Sequence, residues 1–182
     1  TTAISRGTIL AMASASISVE SLPRIRAKYS GIGPFVPAAM TALAILSRDA
    51  FQFGSNDLYP NYDFLQKLFQ NEFASGNGEA MDTRIRKTIK AFMTEAILVP
   101  HPKLPDTYNL TSEGFRKLKC FAGFLAPFLE SYLVVLSYFN DTETPPDDDT
   151  ARLKQIQQLG AKLYKRQEVV RKEALSRINF LN

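Results

Sequence analysis

Apolar side chains recur every three or four residues from Thr111 to Phe139. Phe115, Leu118, Ala122, Leu125, Leu129, Tyr132, Leu136 and Phe139 fall on one helix face, with Phe121, Phe124, Phe128, Val135 and Tyr138 in a second row beside it. Thr111 or Ser112 can supply the N-cap, and Glu113 in the first turn suits the unpaired N–H groups there. A helix apolar around most of its girth is a core helix with neighbours on several sides. Pro127 is expected to kink it or split it in two, because its ring removes an N–H and crowds the preceding turn.

The rest of the pattern can be read outward from that helix. Residues 1–34 form an N-terminal segment: weak periodicity through Ile9, Met12, Ile17 and Val19 gives a short helix, then a basic connector and a Gly/Pro loop. Pro37 suits the first turn of a helix carrying Ala38, Met40, Leu43, Ala44, Ile45 and Leu46. Gly54 to Asn61 reads as a loop, after which Asn61 or Asp63 caps a helix with Phe64, Leu65, Leu68, Phe69 and Phe73 on its apolar side. Ala74 to Ala80 is a flexible turn. Asp82 or Thr83 then caps a third helix with Ile85, Ile89, Phe92, Met93 and Ala96 on one face. Ile97–Pro100 and Thr107–Leu110 read as the strands of a hairpin joined by His101–Asp106. Three helices and a hairpin over residues 35–110 make a winged-helix order. Residues 111–182 hold the central helix, an acidic linker and a last amphipathic helix, whose stripe is Leu153, Ile156, Leu163, Val170, Ala174, Ile178 and Leu181. The expected fold is mainly α: a helical domain with one small β-hairpin, a winged-helix-like module packed on a long central helix. No internal repeat is present.

Charge changes this picture at the C-terminal end. The net charge is only +4, but residues 140–150 carry five acidic and no basic side chains, and residues 151–182 carry eight basic and two acidic. Pro145 and Pro146 keep Asp141–Asp149 from being helical throughout, so this segment is expected to be an exposed connector. It would let the last helix fold back antiparallel along the central one, its basic face outward. Lys154, Lys162, Lys165, Arg166, Arg171 and Lys172 are then the candidate face for anionic lipid or for an acidic partner surface. The uncharged stretch Gly31–Ser47 is interrupted by Pro34 and Pro37 and reads as a buried helix rather than a membrane span. No cleavable signal peptide is evident. The single cysteine, Cys120, excludes an internal disulfide and fits a reducing, intracellular compartment, with the protein peripheral at a membrane surface. One histidine, His101, excludes a multi-histidine metal site, and nothing calls for a cofactor. The last helix has no stop signal at Asn182, so the chain is expected to be part of a longer polypeptide.

Two further patterns carry possible chemistry. His101 and Asp106 stand five residues apart, as in a histidine activated by an aspartate to deprotonate a hydroxyl. Any tetrapeptide may intervene in such a pattern, and this one fills a proline-rich hairpin tip, so the pair is read as coincidental and no catalytic residue is assigned. Arg84, Arg86, Lys87 and Lys90 cover the third helix and could enter a DNA groove, which makes a winged-helix regulator the alternative function. Residues 51–139 carry nine basic and nine acidic side chains, which argues against nucleic acid as a partner.

Four blocks resemble a known family. Tyr62–Phe73, Ala91–Pro100, Phe121–Tyr132 and Lys165–Leu175 are similar, in this order, to segments C-terminal to the catalytic domain of the large glycerol-3-phosphate and dihydroxyacetone-phosphate acyltransferases. The resemblance runs over about residues 35–182. It implies acyl transfer from an acyl thioester to a glycerol-phosphate hydroxyl, an early step in phospholipid synthesis, and a catalytic domain on the same polypeptide as partner. The family's catalytic block pairs a His-x-x-x-x-Asp with an arginine-bearing phosphate-binding block and a Pro-Glu-Gly block, none of which occurs here in that form. His101 and Asp106 fall in the wrong module to inherit those roles. On this resemblance the chain is an accessory C-terminal module that stabilises or docks the catalytic domain.

Overall fold

The computed structural model describes residues 35–70, 72–73 and 79–181, without the side chains of Ile178 and Leu181. The expectations for residues 1–34 and most of the Ala74–Ala80 turn lie outside the described residues. The fold is mainly helical with one small antiparallel sheet. Its elements divide into two compact units between Phe124 and Leu125.

The first unit is built around α1 (Phe35–Leu46), which buries nearly every side chain from Val36 to Ile45. The one polar group among them, Thr41, donates its hydroxyl to the Pro37 carbonyl at 2.8 Å, so its burial leaves no polar atom unpaired. α2 (Tyr59–Leu68), α3 (Met81–Thr94) and α4 (Ser112–Gly123) pack against α1. The sheet has three strands rather than two: β1 (Gln52–Gly54), β2 (Leu98–Pro100) and β3 (Thr107–Leu110) pair in the order β1-β3-β2. β1 is too short for a visible alternation, so the sequence reading passed over it; Phe53 opposite Tyr108 secures it. A 3₁₀ turn (Ser55–Leu58) and Pro60 start α2 earlier than the expected Asn61 or Asp63 cap. α3 likewise begins at Met81, with no side-chain cap, and Asp82 lies inside its first turn. Phe64, read as apolar-side, is exposed, while Tyr62, Leu65 and Phe69 take the core.

The hairpin meets α4 at a close backbone crossing. Thr111 is the N-cap: its hydroxyl accepts from the Gly114 N–H at 2.8 Å and donates back to the Ala96 and Ile97 carbonyls at 3.0 and 3.2 Å. The Ile97 carbonyl also accepts from the Thr111 N–H at 3.1 Å. A Cβ at position 114 would stand 2.1 Å from that carbonyl oxygen, so only glycine fits.

The long helix read across Thr111–Phe139 is split. α4 ends at Gly123 and α5 (Ala126–Asp141) restarts with Pro127 in its first turn, where the missing N–H costs nothing. In the second unit α5 packs on α6 (Asp149–Lys165) and on the segment that follows. Tyr138 donates to Gln155 at 2.7 Å, a Cβ on Gly160 would meet Val134, and Glu130 reaches Val170 and Arg171. Partner numbers rise as α5 numbers fall, so α6 runs antiparallel to α5, as expected. Val134, Tyr138, Ile156, Leu163, Val169 and Ala174 form the unit's core.

The last helix is not continuous. It stops at Lys165, Gln167 takes a left-handed φ of 60°, and a 3₁₀ turn (Lys172–Leu175) and α7 (Arg177–Leu181) follow. This break moves the stripe by one residue: Val169 is buried and Val170 is 44% exposed. Beyond the break the backbone meets Glu130, a fully buried carboxylate. It accepts the Val170 and Arg171 N–H groups at 3.1 and 2.7 Å and pairs with the Arg171 guanidinium at 2.7 Å. A carboxylate can stay charged in a core only when so surrounded.

Two measurements check these joints. Gly114→Ala should lower stability by about 1–3 kcal/mol or more through overpacking, whereas Gly54→Ala, whose Cβ would meet Asp106 at an ordinary 3.5 Å, should stay within about 0.5 kcal/mol; equal denaturation midpoints would contradict the crossing. Glu130→Ala should cost about 3–5 kcal/mol, since it strands Arg171 and two N–H groups, and should raise hydrogen exchange at Val170 and Arg171 first.

Candidate functional site

The hairpin was the candidate for chemistry, and there the backbone dictates what each side chain can do. His101 opens the turn, and its Nδ1 accepts the Lys103 and Leu104 N–H groups at 3.2 and 3.0 Å. That nitrogen is occupied in holding the turn. Asp106 closes it with a left-handed φ of 51°. Its carboxylate accepts from Ser55, from Tyr108 at 3.1 Å and from Arg86 at 2.9 Å. The turn does not bring His101 and Asp106 together.

Asp106 belongs instead to a polar cluster joining the hairpin to α3. Arg86 reaches Asp106 with one end of its guanidinium and Asp82 with Nε at 2.8 Å, and Asp82 in turn accepts from Tyr59. The Ser55 hydroxyl, with help from Arg86 and Tyr108, holds the Asp106 carboxyl below its usual range. The Tyr59 hydroxyl and Arg86 do the same for Asp82. Tyr59 is pushed up by its bond to Asp82, and Tyr108 by burial and by Asp106. Sequence periodicity does not point to Ser55 or Tyr59, which lie fifty-one and twenty-three residues from their partners Asp106 and Asp82, whereas Tyr108 stands only two residues beyond Asp106.

Of the third helix's four cations, Arg86 belongs to this cluster. Arg86 is shared by two aspartates, Lys87 pairs with Glu79, and Arg84 donates to Gln66 at 2.9 Å. Lys90 is exposed. Above them, between α1, α3 and α4, lies a groove of about 310 Å³ floored by Pro37, Ala38, Phe92 and Phe121, with Arg84 and Lys87 on its rim. Its floor offers apolar surface. Cys120 stands half-buried on α4. Among the described residues, no three His, Cys, Asp or Glu side chains converge to hold a metal ion.

The basic face of the second unit has a different geometry. Asp148 caps α6 by accepting the Ala151 N–H at 2.7 Å, and Leu153, Ile156, Gly160 and Leu163 turn inward. Lys154, Lys162 and Lys165 therefore point outward and are exposed, with Lys154 and Lys165 eleven residues or about 16 Å apart. Lys162 and Lys165 also complement the negative end of the helix dipole. Arg166 is exposed, 3.9 Å from Glu168, and Lys172 is exposed on the 3₁₀ turn. Arg171 departs from the expectation of an outward face. It turns inward to Glu130, because the chain leaves the helix before reaching it. Glu130 itself left a signal in the sequence: it is the lone charge between Lys119 and Asp141. No single described helix is long and apolar enough to cross a membrane.

The polar cluster gives a pH test with a definite sign. Asp82 and Asp106 titrate near 3.8 when unfolded and lower when folded. Their contribution is complete above that value and is lost as pH falls through the lower folded values. Asp106→Asn should therefore be less stable than wild type near neutral pH, and urea midpoints should show the gap closing below about pH 4. A gap that is constant with pH would contradict the assignment.

Residues 32–182 match the family described as the glycerol-3-phosphate acyltransferase C-terminal region, and the chain belongs to that family. Neither the curated proteins nor the solved structures give a significant match.

Proposed function

We propose that this chain is an accessory module of a glycerol-3-phosphate acyltransferase: it docks on and stabilises the catalytic domain of the same polypeptide and faces an anionic phospholipid surface through α6. The observation that carries this reading is the contrast between the two candidate sites. His101 and Asp106 are each engaged in structure, His101 by its own turn and Asp106 by Ser55, Arg86 and Tyr108. Lys154, Lys162 and Lys165 are held outward on a helix whose opposite side is anchored in a core. Such a face adds electrostatic attraction to a bilayer without inserting into it, at about 1 kcal/mol per lysine near the surface. Acyl transfer to the glycerol-phosphate hydroxyl would then be the work of the catalytic domain.

One set of variants in the acyltransferase polypeptide tests both halves. His101→Ala should keep glycerol-phosphate acylation within about twofold of wild type, since no step is assigned to it. Lys154→Glu, Lys162→Glu and Lys165→Glu together should weaken co-sedimentation with vesicles containing phosphatidylglycerol by on the order of a hundredfold, with neutral vesicles unaffected. Loss of turnover in His101→Ala would overturn the accessory role. Equal sedimentation of the triple variant and wild type with anionic vesicles would overturn the lipid face.

A further inference from the structure

Among the described residues of the second unit, one side of α5 is exposed. This helix carries two charges over its sixteen residues, Glu130 and Asp141. A helix apolar on all sides belongs inside protein or lipid. Its Glu130, Val134 and Tyr138 side is taken up by α6 and the segment after it. On another side, Leu136 is 64% exposed and Phe139 50% exposed. Three residues apart, they are neighbours on the helix surface. Single exposed apolar side chains are ordinary; here two large ones stand side by side on one helix. The Phe139 ring stands edge-on against the buried Tyr138 at 5.3 Å, so it is held in place by the core.

The surroundings of the pair select its occupant. Asn140 and Asp141 follow directly and are exposed, and Glu143, Asp147, Asp148 and Asp149 are exposed in the connector and at the start of α6. Leu136 and Phe139 are thus bordered along the chain by carboxylates. An anionic bilayer would be repelled there. An apolar protein patch with a basic rim is complementary to it.

We infer that Leu136 and Phe139 are the anchors by which this region docks on the catalytic domain of the acyltransferase polypeptide, at an apolar patch rimmed by lysine or arginine. The inference rests on the docking role proposed above and adds the surface and the chemistry of its partner. It also separates the module's two contacts: the acidic-bordered α5 pair meets protein, and the α6 lysines meet lipid.

The test uses the whole polypeptide with a protease site inserted ahead of Phe35 and with Cys120→Ala as background. After native cleavage the two pieces should co-elute, and Leu136→Asp with Phe139→Asp should weaken their association by at least about tenfold. Independently, Leu136→Cys and Phe139→Cys in the uncleaved polypeptide should react with maleimide at least about tenfold more slowly than Lys154→Cys. The cysteine variants keep the test valid if the aspartate variants misfold. Co-elution unaffected by the aspartates, with cysteines as reactive as at Lys154, would overturn this surface and leave the docking role standing. Separation of the wild-type pieces would overturn the docking role, and this inference with it. Protection that appears only on adding vesicles would assign the pair to a membrane, and protection lost on dilution with a change from dimer to monomer mass would assign it to a second copy. Either outcome overturns the inference.

Discussion

Proline at position 127 has no N–H to give, and the apolar run from Thr111 to Phe139 does not cross it as one helix. The chain ends α4 at Gly123 and starts again at Ala126, placing the proline in a first turn where no N–H is required. Much of the architecture follows from that restart. α4 keeps Gly114, Leu118 and Ala122 for the first unit, where it packs on α1. α5 is released from the phase of α4 and buries Glu130, Val134 and Tyr138 for the second. Uninterrupted helical arithmetic would have carried the buried face to Leu136 and Phe139, which are exposed instead.

Once α5 turns Glu130 inward, a charge lies in an apolar interior and must be surrounded by donors. No side chain on α6 provides them. Two backbone N–H groups and a guanidinium from Val170 and Arg171 do, and N–H groups inside an α-helix are already committed to carbonyls. The last helix ends at Lys165, Gln167 adopts a left-handed conformation, and the stripe resumes at Val169. Beyond that break Val170 is exposed, and Arg171 leaves the basic face for the buried carboxylate.

In the first unit the corresponding polar decision is made at the turn of the hairpin. Asp106 in a left-handed turn draws in Ser55, Tyr108 and Arg86, and Arg86 brings Asp82 and Tyr59 with it. The cluster ties the sheet to α3 through Arg86, and Lys87 on the same helix pairs with Glu79. The reading of this region as an accessory module of an acyltransferase draws on that, on the family it belongs to, and on the outward lysines of α6.

The amino-acid sequence by itself determined most of what depends on neighbours in the chain. The helical periodicity of Ile85, Ile89 and Phe92, the hairpin around His101–Asp106, the Thr111 cap, the break imposed by Pro127 and the proline-interrupted acidic connector are local facts and were legible there. So were the family blocks and the lone charge at Glu130. Only the tertiary structure decided β1, because a three-residue strand is made by its partner β3 rather than by its own pattern. It also decided the joins of Ser55 to Asp106 and of Tyr59 to Asp82, which bring together residues fifty-one and twenty-three positions apart. And it decided the inward turn of Arg171, because periodicity reads the helix on past Lys165, and the carboxylate that Arg171 meets lies forty-one residues earlier in the chain.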